Sequence, residues 1–358
     1  MGKIVTIIIP TYNMEKYLQK CLNSLLVSDD NLKQIEVLVV NDGSKDSSSL
    51  IAHEFEMRYP QSFRVIDKEN GNYGSCVNRG LKEAKGKYVK VLDADDYFDT
   101  EAFEIALNFL KTCDYDLVLT DYNKVDEKGD VEEMFELTIP HNTPLAFDSL
   151  LGFSATRMHM HRIFYKTENL RAIDYHQTEG MSYTDQEWMG EPMTSVNTLY
   201  YLDIHLYQYL VGRGEQTMNP QVMMKSIKQY MHAIYVLIDL YNRYTGDYAH
   251  RKYIWYRING QMRLIYNLFL CENKNTELVA LSEFDEMIKS KSAEVYEDGN
   301  SFTIGGFHFV AYWREKGYKN SGVLLPTYYV FINGCKRAIK NFIPMDVYRK
   351  IKDKKIRK

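Results

Sequence analysis

The sequence has little that could staple it from within. Its five cysteines, Cys21, Cys76, Cys113, Cys271 and Cys335, are odd in number, far apart and without a Cys-x-x-Cys pair. That excludes a disulfide framework or a zinc knuckle and fits a reducing cytosol. A chain of 358 residues can bury enough apolar surface to fold without such aids. No apolar run approaches the ~20 residues that span a bilayer; Leu324–Ile332, among the longest, falls well short. The first residues lack the apolar stretch and cleavage site of a signal peptide, so a cytoplasmic protein is expected. A general excess of positive charge is missing too. Residues 1–335 hold 34 bases against 46 acids, which excludes broad nucleic-acid binding, since that needs a basic face to neutralise phosphates. Residues 336–358 reverse the balance, with ten Lys and Arg against Asp346 and Asp353.

Three familiar chemistries are absent as well. There is no Gly-x-x-x-x-Gly-Lys-Ser/Thr phosphate loop and no Gly-x-Ser-x-Gly elbow. The first strand runs into Pro10-Thr11-Tyr12 rather than the glycine-rich turn of a dinucleotide fold or a nucleotidyltransferase. The first 120 residues alternate instead. Ile4–Ile9 is a β-branched run, and Lys16–Leu26 has apolar residues at helical spacing. Ile35–Val40 reads as a strand ending in Asn41-Asp42-Gly43-Ser44, Ser48–Tyr59 as a helix and Phe63–Ile66 as a strand. Ser75–Ala84 reads as a helix, Tyr88–Leu92 as a strand ending in Asp93-Ala94-Asp95-Asp96, Glu101–Leu110 as a helix and Leu117–Thr120 as a strand. Apolar strands alternating with helices imply a mostly parallel α/β sheet, whose ligands bind at the C-terminal ends of the strands. Residues 121–209 are mixed in pattern. Beyond Pro220 the spacing is helical over Ile227–Tyr244, Tyr253–Leu270 and Leu278–Ile288. Of the 29 tyrosines, 18 lie at or after Tyr200; most sit at core spacing, which favours half-buried helix faces over a sugar-stacking surface.

Acidic residues gather after the strands: Asp42, then Asp93, Asp95 and Asp96, and later Asp185 and Glu187. Crowded carboxylates repel unless a cation joins them, and hard oxygen ligands suit Mg²⁺ or Mn²⁺. Such a cation in turn suits a diphosphate. Lys90 interrupts an otherwise apolar strand; a buried, paired lysine and an edge-strand lysine both fit.

In order and spacing, Ile7-Ile8-Ile9-Pro10-Thr11-Tyr12-Asn13, Asn41-Asp42-Gly43-Ser44, Asp93-Ala94-Asp95-Asp96 and Thr184-Asp185-Gln186-Glu187-Trp188 resemble the motifs of family 2 glycosyltransferases of the GT-A fold. Residues 207–218 resemble the stretch that closes many bacterial members. The resemblance runs over about residues 3–218. It implies a GT-A α/β fold with a helical C-terminal region. It also implies metal-dependent, inverting transfer of a sugar from a nucleotide-diphosphate donor, UDP-linked, to a hydroxyl of a glycan or lipid-linked acceptor in bacterial cell-surface polysaccharide synthesis. Residue by residue, Tyr12 would stack on the uracil and Asp42 would accept its N3–H. Asp95 would meet ribose and metal, Asp96 would bind Mn²⁺ or Mg²⁺, and Asp185 would be the general base. Pro10, Asn72, Gly74, Asn78 and Asp93 complete the expected donor-binding set.

The sequence departs from the family in places. Val77 precedes Asn78 where an Arg is common, so a cationic diphosphate contact there falls to Arg79 or is lost. Thr184 stands where Glu usually precedes the base, which leaves Glu187 as a rival to Asp185. Glu187, Trp188, Arg213 and Gln216 are candidate diphosphate or acceptor contacts. His159 and His161 would share one face of a strand; without a third ligand at zinc spacing they are favoured as structural or acceptor-pocket residues over half a metal site. These departures motivate an alternative, a non-catalytic nucleotide-sugar-binding subunit of a polysaccharide assembly complex.

The expected units are a catalytic domain over 1–215, a helical region over 216–335 and a basic amphipathic tail over 336–358, divided by Pro344. In the tail Ile339, Phe342, Ile343, Val347, Ile351 and Ile356 recur among the charges. It is expected to lie on an anionic membrane surface, which would make the protein peripheral on the inner face; a homo-oligomer is also compatible with the sequence.

Overall fold

Continuous β-branched runs and buried helix faces divide the chain into two units in the computed structural model, which describes residues 2–212, 224–272, 278–319 and 324–342. One unit comprises 1–149 and 157–222, the other 150–156 and 223–358. The expected boundary at 215/216, Arg213, Gln216 and the tail from residue 343 lie outside the described residues.

The first unit is built on a ten-stranded sheet. Strands β1 (Lys3–Thr11), β2 (Ile35–Asn41), β3 (Phe63–Asp67) and β4 (Gly86–Val91) run parallel in the order β3-β2-β1-β4. All seven residues of β2 are buried, as expected for a parallel strand covered on both faces. The chain moves outward from β1 to β2 and β3, then returns to place β4 on the other side. The C-terminal ends of β1 and β4 therefore flank a topological switch point, the usual crevice for ligands in such sheets. Helix α1 (Asn72–Glu83) packs on this sheet through Gly80, where a Cβ would meet the Ile8 side chain at 2.5 Å.

Beyond β4 the sheet is mixed rather than parallel. β5 (Tyr97–Phe98) is followed by β6 (Leu117–Val125), β7 (Val131–Phe135), β8 (Pro144–Ala146), β9 (Ile163–Lys166) and β10 (Thr198–Leu210). β9 lies antiparallel between β4 and β6, and β10 is parallel to β6, with register shifts around His205. Lys90, next to last in β4, is fully buried on a strand paired with β1 and β9, so the edge-strand alternative is excluded. Cys21, Cys76, Cys113 and Cys271 are buried free thiols.

The second unit is helical, with long helices at Ile227–Arg243, Tyr248–Asn267, Val279–Lys291 and Leu324–Phe342. Asp247 caps the second of these by accepting from the N–H groups of Ala249 and His250. The Arg314 guanidinium meets buried Asp285 at 2.6 Å, and Tyr266 donates to the same carboxylate. Tyr253 and Tyr266 are fully buried here, part of the tyrosine-rich core expected from helical spacing. No described helix is long and apolar enough to cross a membrane.

Candidate active site

The loops that leave β1 and β2 are tied to each other. Asn13 and Gly43 both adopt left-handed backbone, at φ 54° and 74°, which Asn and Gly tolerate best. The Asn13 N–H donates to Ser44 Oγ at 3.1 Å, and the Lys45 N–H returns to Asn13 Oδ1 at 2.8 Å. Tyr12, just beyond Thr11, is 46% exposed, an open ring at the rim, whereas Pro10 remains within β1 opposite Val40.

Asp42 is buried, and its carboxylate is already engaged. It accepts the N–H groups of Gly71 and Asn72, both at 2.9 Å, and the Lys68 ammonium. A carboxylate offers about four acceptor sites, so roughly one remains for a ligand. Asp42 thereby fixes the turn that opens α1, where Asn72 sits at φ 65°.

Two expected donor contacts have another task. Asn78 spends its amide on the main chain of Gln177, in both directions at 2.8 and 2.9 Å, and on Glu179 at 2.9 Å. Gly74 lies so close to the same segment that a Cβ would fall 2.1 Å from the Thr178 carbonyl oxygen. Both residues clamp segment 177–179 to α1 instead of facing the rim. Arg79 pairs with Glu83, one turn further along, at 3.1 Å.

The acidic loop after β4 is held by tyrosines. Tyr73 donates to Asp93 Oδ1 at 2.8 Å. Tyr207 donates to Asp96 Oδ2 at 2.6 Å while its oxygen accepts the Asp93 N–H at 3.2 Å. The Leu210 N–H reaches Asp96 Oδ1 at 2.8 Å. Burial, and next the charge of Asp93, push the Asp96 carboxyl well above the usual carboxylate range. Asp95 is half-buried on the same turn.

His161 completes a cluster. Ligand atoms of Asp93, Asp96 and His161 all lie within 4.8 Å of one another. Asp95, expected as a metal contact, is outside this group. His161 lies in a short turn, Met160–Arg162, just before β9, not on a strand with His159 as expected. Its ring packs on Tyr207 and Tyr209 at centroid distances of 4.4 and 4.9 Å. His159 is exposed beside it, the two rings 6.4 Å apart. Burial first, then the neighbouring cationic groups, hold the His161 imidazole well below its usual pKa. Its Nδ1 is buried without a hydrogen-bond partner. Two carboxylates and an imidazole lone pair make a donor set that suits Mn²⁺.

Asp185 opens the short helix α2 (Asp185–Trp188). Its charge reaches the same space. Burial pushes the Tyr209 hydroxyl up to about 12, assisted by Asp96, Asp93 and Asp185, and Tyr73 is raised by burial and the same three acids. Glu187 points elsewhere, accepting the Thr178 N–H at 2.8 Å. Trp188 is buried against Tyr165 and Tyr175, so its indole is core rather than an acceptor contact. Of the two rival carboxylates, Asp185 is the one beside the acidic cluster. Sequence reasoning missed Tyr73, Tyr207 and Tyr209 as partners of the acids. The alternation of Tyr207 and Tyr209, two residues apart on a strand and hence on one face, was the available signal.

Comparison with known proteins agrees with this architecture. Residues 6–173 match the family model described as Glycosyl transferase family 2. An uncharacterised glycosyltransferase of Mycoplasma pneumoniae is 31% identical over 215 residues, which is 56% of this chain and 64% of that protein. The poly(ribitol-phosphate) beta-N-acetylglucosaminyltransferase TarS of Staphylococcus aureus is 28% identical over 264 residues, 71% of this chain and 45% of TarS. The chain thus spans less than two thirds of the length of these curated relatives. In fold, it matches the crystal structure of TarS 1–349 in complex with UDP-GlcNAc with a TM-score of 0.66 and 22% identity, over 93% of this chain and 91% of that one. The stretch that carries the first three motifs and most of the parallel strands is thus similar to family 2 of the glycosyltransferases, and the fold is that shared with TarS, an α/β fold of the GT-A kind.

Proposed function

We propose that the chain transfers a sugar from a UDP-linked donor to a hydroxyl of a glycan or lipid-linked acceptor during assembly of a bacterial cell-surface polysaccharide. The observation that carries this reading is the cluster of Asp93, Asp96 and His161 at the C-terminal edge of the sheet, with the charge of Asp185 near enough to help raise Tyr73 and Tyr209 beside it. The UDP-GlcNAc and UDP bound in the TarS structures support the choice of nucleotide.

Tyr12 stacks on the base, and the remaining acceptor site of Asp42 takes the uracil N3–H. Asp93, Asp96 and His161 would hold Mn²⁺ or Mg²⁺, which when bound offsets diphosphate charge as a Lewis acid; Asp95 faces the ribose. Asp185 takes the proton of the acceptor hydroxyl. The acceptor oxygen bonds to the anomeric carbon while the bond to the diphosphate oxygen breaks, its electron pair leaving with the diphosphate. Attack opposite the leaving group inverts the centre, so an α-linked donor gives a β product. On this reading the catalytic domain covers 1–215, a helical region follows to 335, and the basic segment 336–358 keeps the protein on the inner face of the membrane, near a lipid-borne acceptor.

The test is a panel of UDP-sugars incubated with purified protein and Mn²⁺, followed by release of UDP. Asp185→Asn is expected to lower turnover by about 10²-fold or more with UDP binding retained. Undiminished turnover by that variant would overturn the base assignment. UDP binding without turnover of any sugar by the native chain would favour the non-catalytic subunit.

A further inference from the structure

The most unusual buried group outside the reaction scheme is Lys90. A lysine buried within a core strand is costly, because an ammonium loses its hydration unless it is paired. Lys90 is fully buried, and among the described residues no carboxylate pairs with it. Its Nζ donates instead to two main-chain carbonyls, His161 at 2.6 Å and Ile163 at 3.3 Å. Aromatic rings surround the charge: Phe164 at 4.5 Å, Tyr207 at 5.6 Å and Phe98 at 5.8 Å from their centroids. One side chain of β4 therefore spans to the turn that carries His161, and it touches the ring that hydrogen-bonds Asp96.

The His161 imidazole has no second hydrogen bond of the kind that usually orients a metal-binding histidine, since its Nδ1 is orphaned. Its orientation rests on ring packing against Tyr207 and Tyr209 and on its main chain. Lys90 holds that main chain. We infer that Lys90 is a positioning residue for the cation site: by binding the carbonyls of His161 and Ile163 it keeps the His161 imidazole in reach of Asp93 and Asp96. The inference rests on the proposal that these three residues bind a divalent cation.

The experiment is a double-mutant cycle on metal affinity. Free Mn²⁺ is titrated by electron paramagnetic resonance against the full chain as wild type, Lys90→Met, His161→Ala and the double variant. Lys90→Met is expected to weaken Mn²⁺ binding by about 10–100-fold, the usual cost of losing an outer support. The double variant is expected to bind no more weakly than His161→Ala alone, to within about twofold, because Lys90 acts through His161. UDP affinity without metal should be unchanged in Lys90→Met. A lysine that merely stabilises the fold would give losses that multiply, and that result overturns the inference, as does wild-type affinity in Lys90→Met. His161→Ala binding Mn²⁺ as tightly as wild type would instead remove the cation reading itself, and the inference with it. If Lys90→Met does not fold, Lys90→Gln, which keeps a shorter N–H donor, enters the same cycle with the same outcomes.

Discussion

The Tyr207 hydroxyl is bonded to both aspartates of the cluster, donating to the Asp96 carboxylate at 2.6 Å and accepting the Asp93 N–H at 3.2 Å. One phenol on β10 thus sets the spacing of two acids on the loop after β4. Tyr207→Phe leaves Asp96 with the Leu210 N–H alone. The loss is expected to cost about 1–3 kcal/mol, as for a hydrogen bond to a charged or buried group, read as a lower denaturation midpoint. Mn²⁺ titration should show weaker binding in the same variant; unchanged binding would mean that the tyrosine supports the fold and not the acids.

Asp42 is expected to matter before any nucleotide arrives. Asp42→Asn substitutes an NH₂ for one of two occupied oxygens, Oδ1 accepting from Lys68 and Gly71 and Oδ2 from Asn72. A donor then faces a donor. Destabilisation of about 1–3 kcal/mol and weaker UDP binding should appear together. Calorimetry and thermal melting separate the two, and a variant that binds UDP weakly at full stability would show that Asp42 serves the base alone.

Gly74→Ala normally favours a helix, since alanine is the better helix former by roughly 1 kcal/mol. Here the sign reverses, because the new methyl carbon would sit 2.1 Å from the Thr178 carbonyl oxygen. Overpacking costs about 1–3 kcal/mol. The displaced segment 177–179 leads toward Asp185, so turnover should fall along with stability. A variant as stable and active as wild type would mean that the loop yields freely.

Asp116 supplies a pH signature. Although burial alone would raise its carboxyl, hydrogen bonds from the N–H groups of Thr198 and Asn197, with Asn169 and the Thr198 hydroxyl, hold it below the usual carboxylate range. A pKa lowered on folding contributes stability above the unfolded value of ~3.9, and that stability is lost as pH falls through the folded value. Asp116→Ala should therefore be less stable than wild type at pH 7, with the difference shrinking below about pH 4. Denaturation series at several pH values check this; a gap constant down to pH 2 would contradict it.

Legibility of the fold followed the uniformity of each strand. β1, β2 and β4 are nearly continuous apolar runs bounded by Pro, Asp-Gly or Asp clusters, so each could be read from its own residues. β9 is four residues long and preceded by polar, His-rich sequence, and β10 carries Asp203 and His205 inside its run with register shifts beside them. Their pairing depends on partners distant in the chain, which periodicity cannot see. The candidate site divides the same way. Asp42, Asp93, Asp96 and Asp185 stand in short motifs after or near readable elements. Tyr207 and His161 join them only through tertiary pairing, and Gly74 and Asn78 show that a residue beside such a motif can serve the scaffold instead.

The place of β9 has a consequence for how the protein is made. It is the four-residue seam between β3-β2-β1-β4 and the β6-β10 half of the sheet, and both strands it joins precede it in the chain. Until residue 166 leaves the ribosome, β4 and β6 each show an unsatisfied edge, an invitation to pair with another nascent chain. Tyr207 arrives about forty residues later still, so Asp96 is synthesised more than a hundred residues before the hydroxyl that donates to it. The order of synthesis thus leaves the β4 and β6 edges that β9 will join without that partner from residue 125 to residue 166.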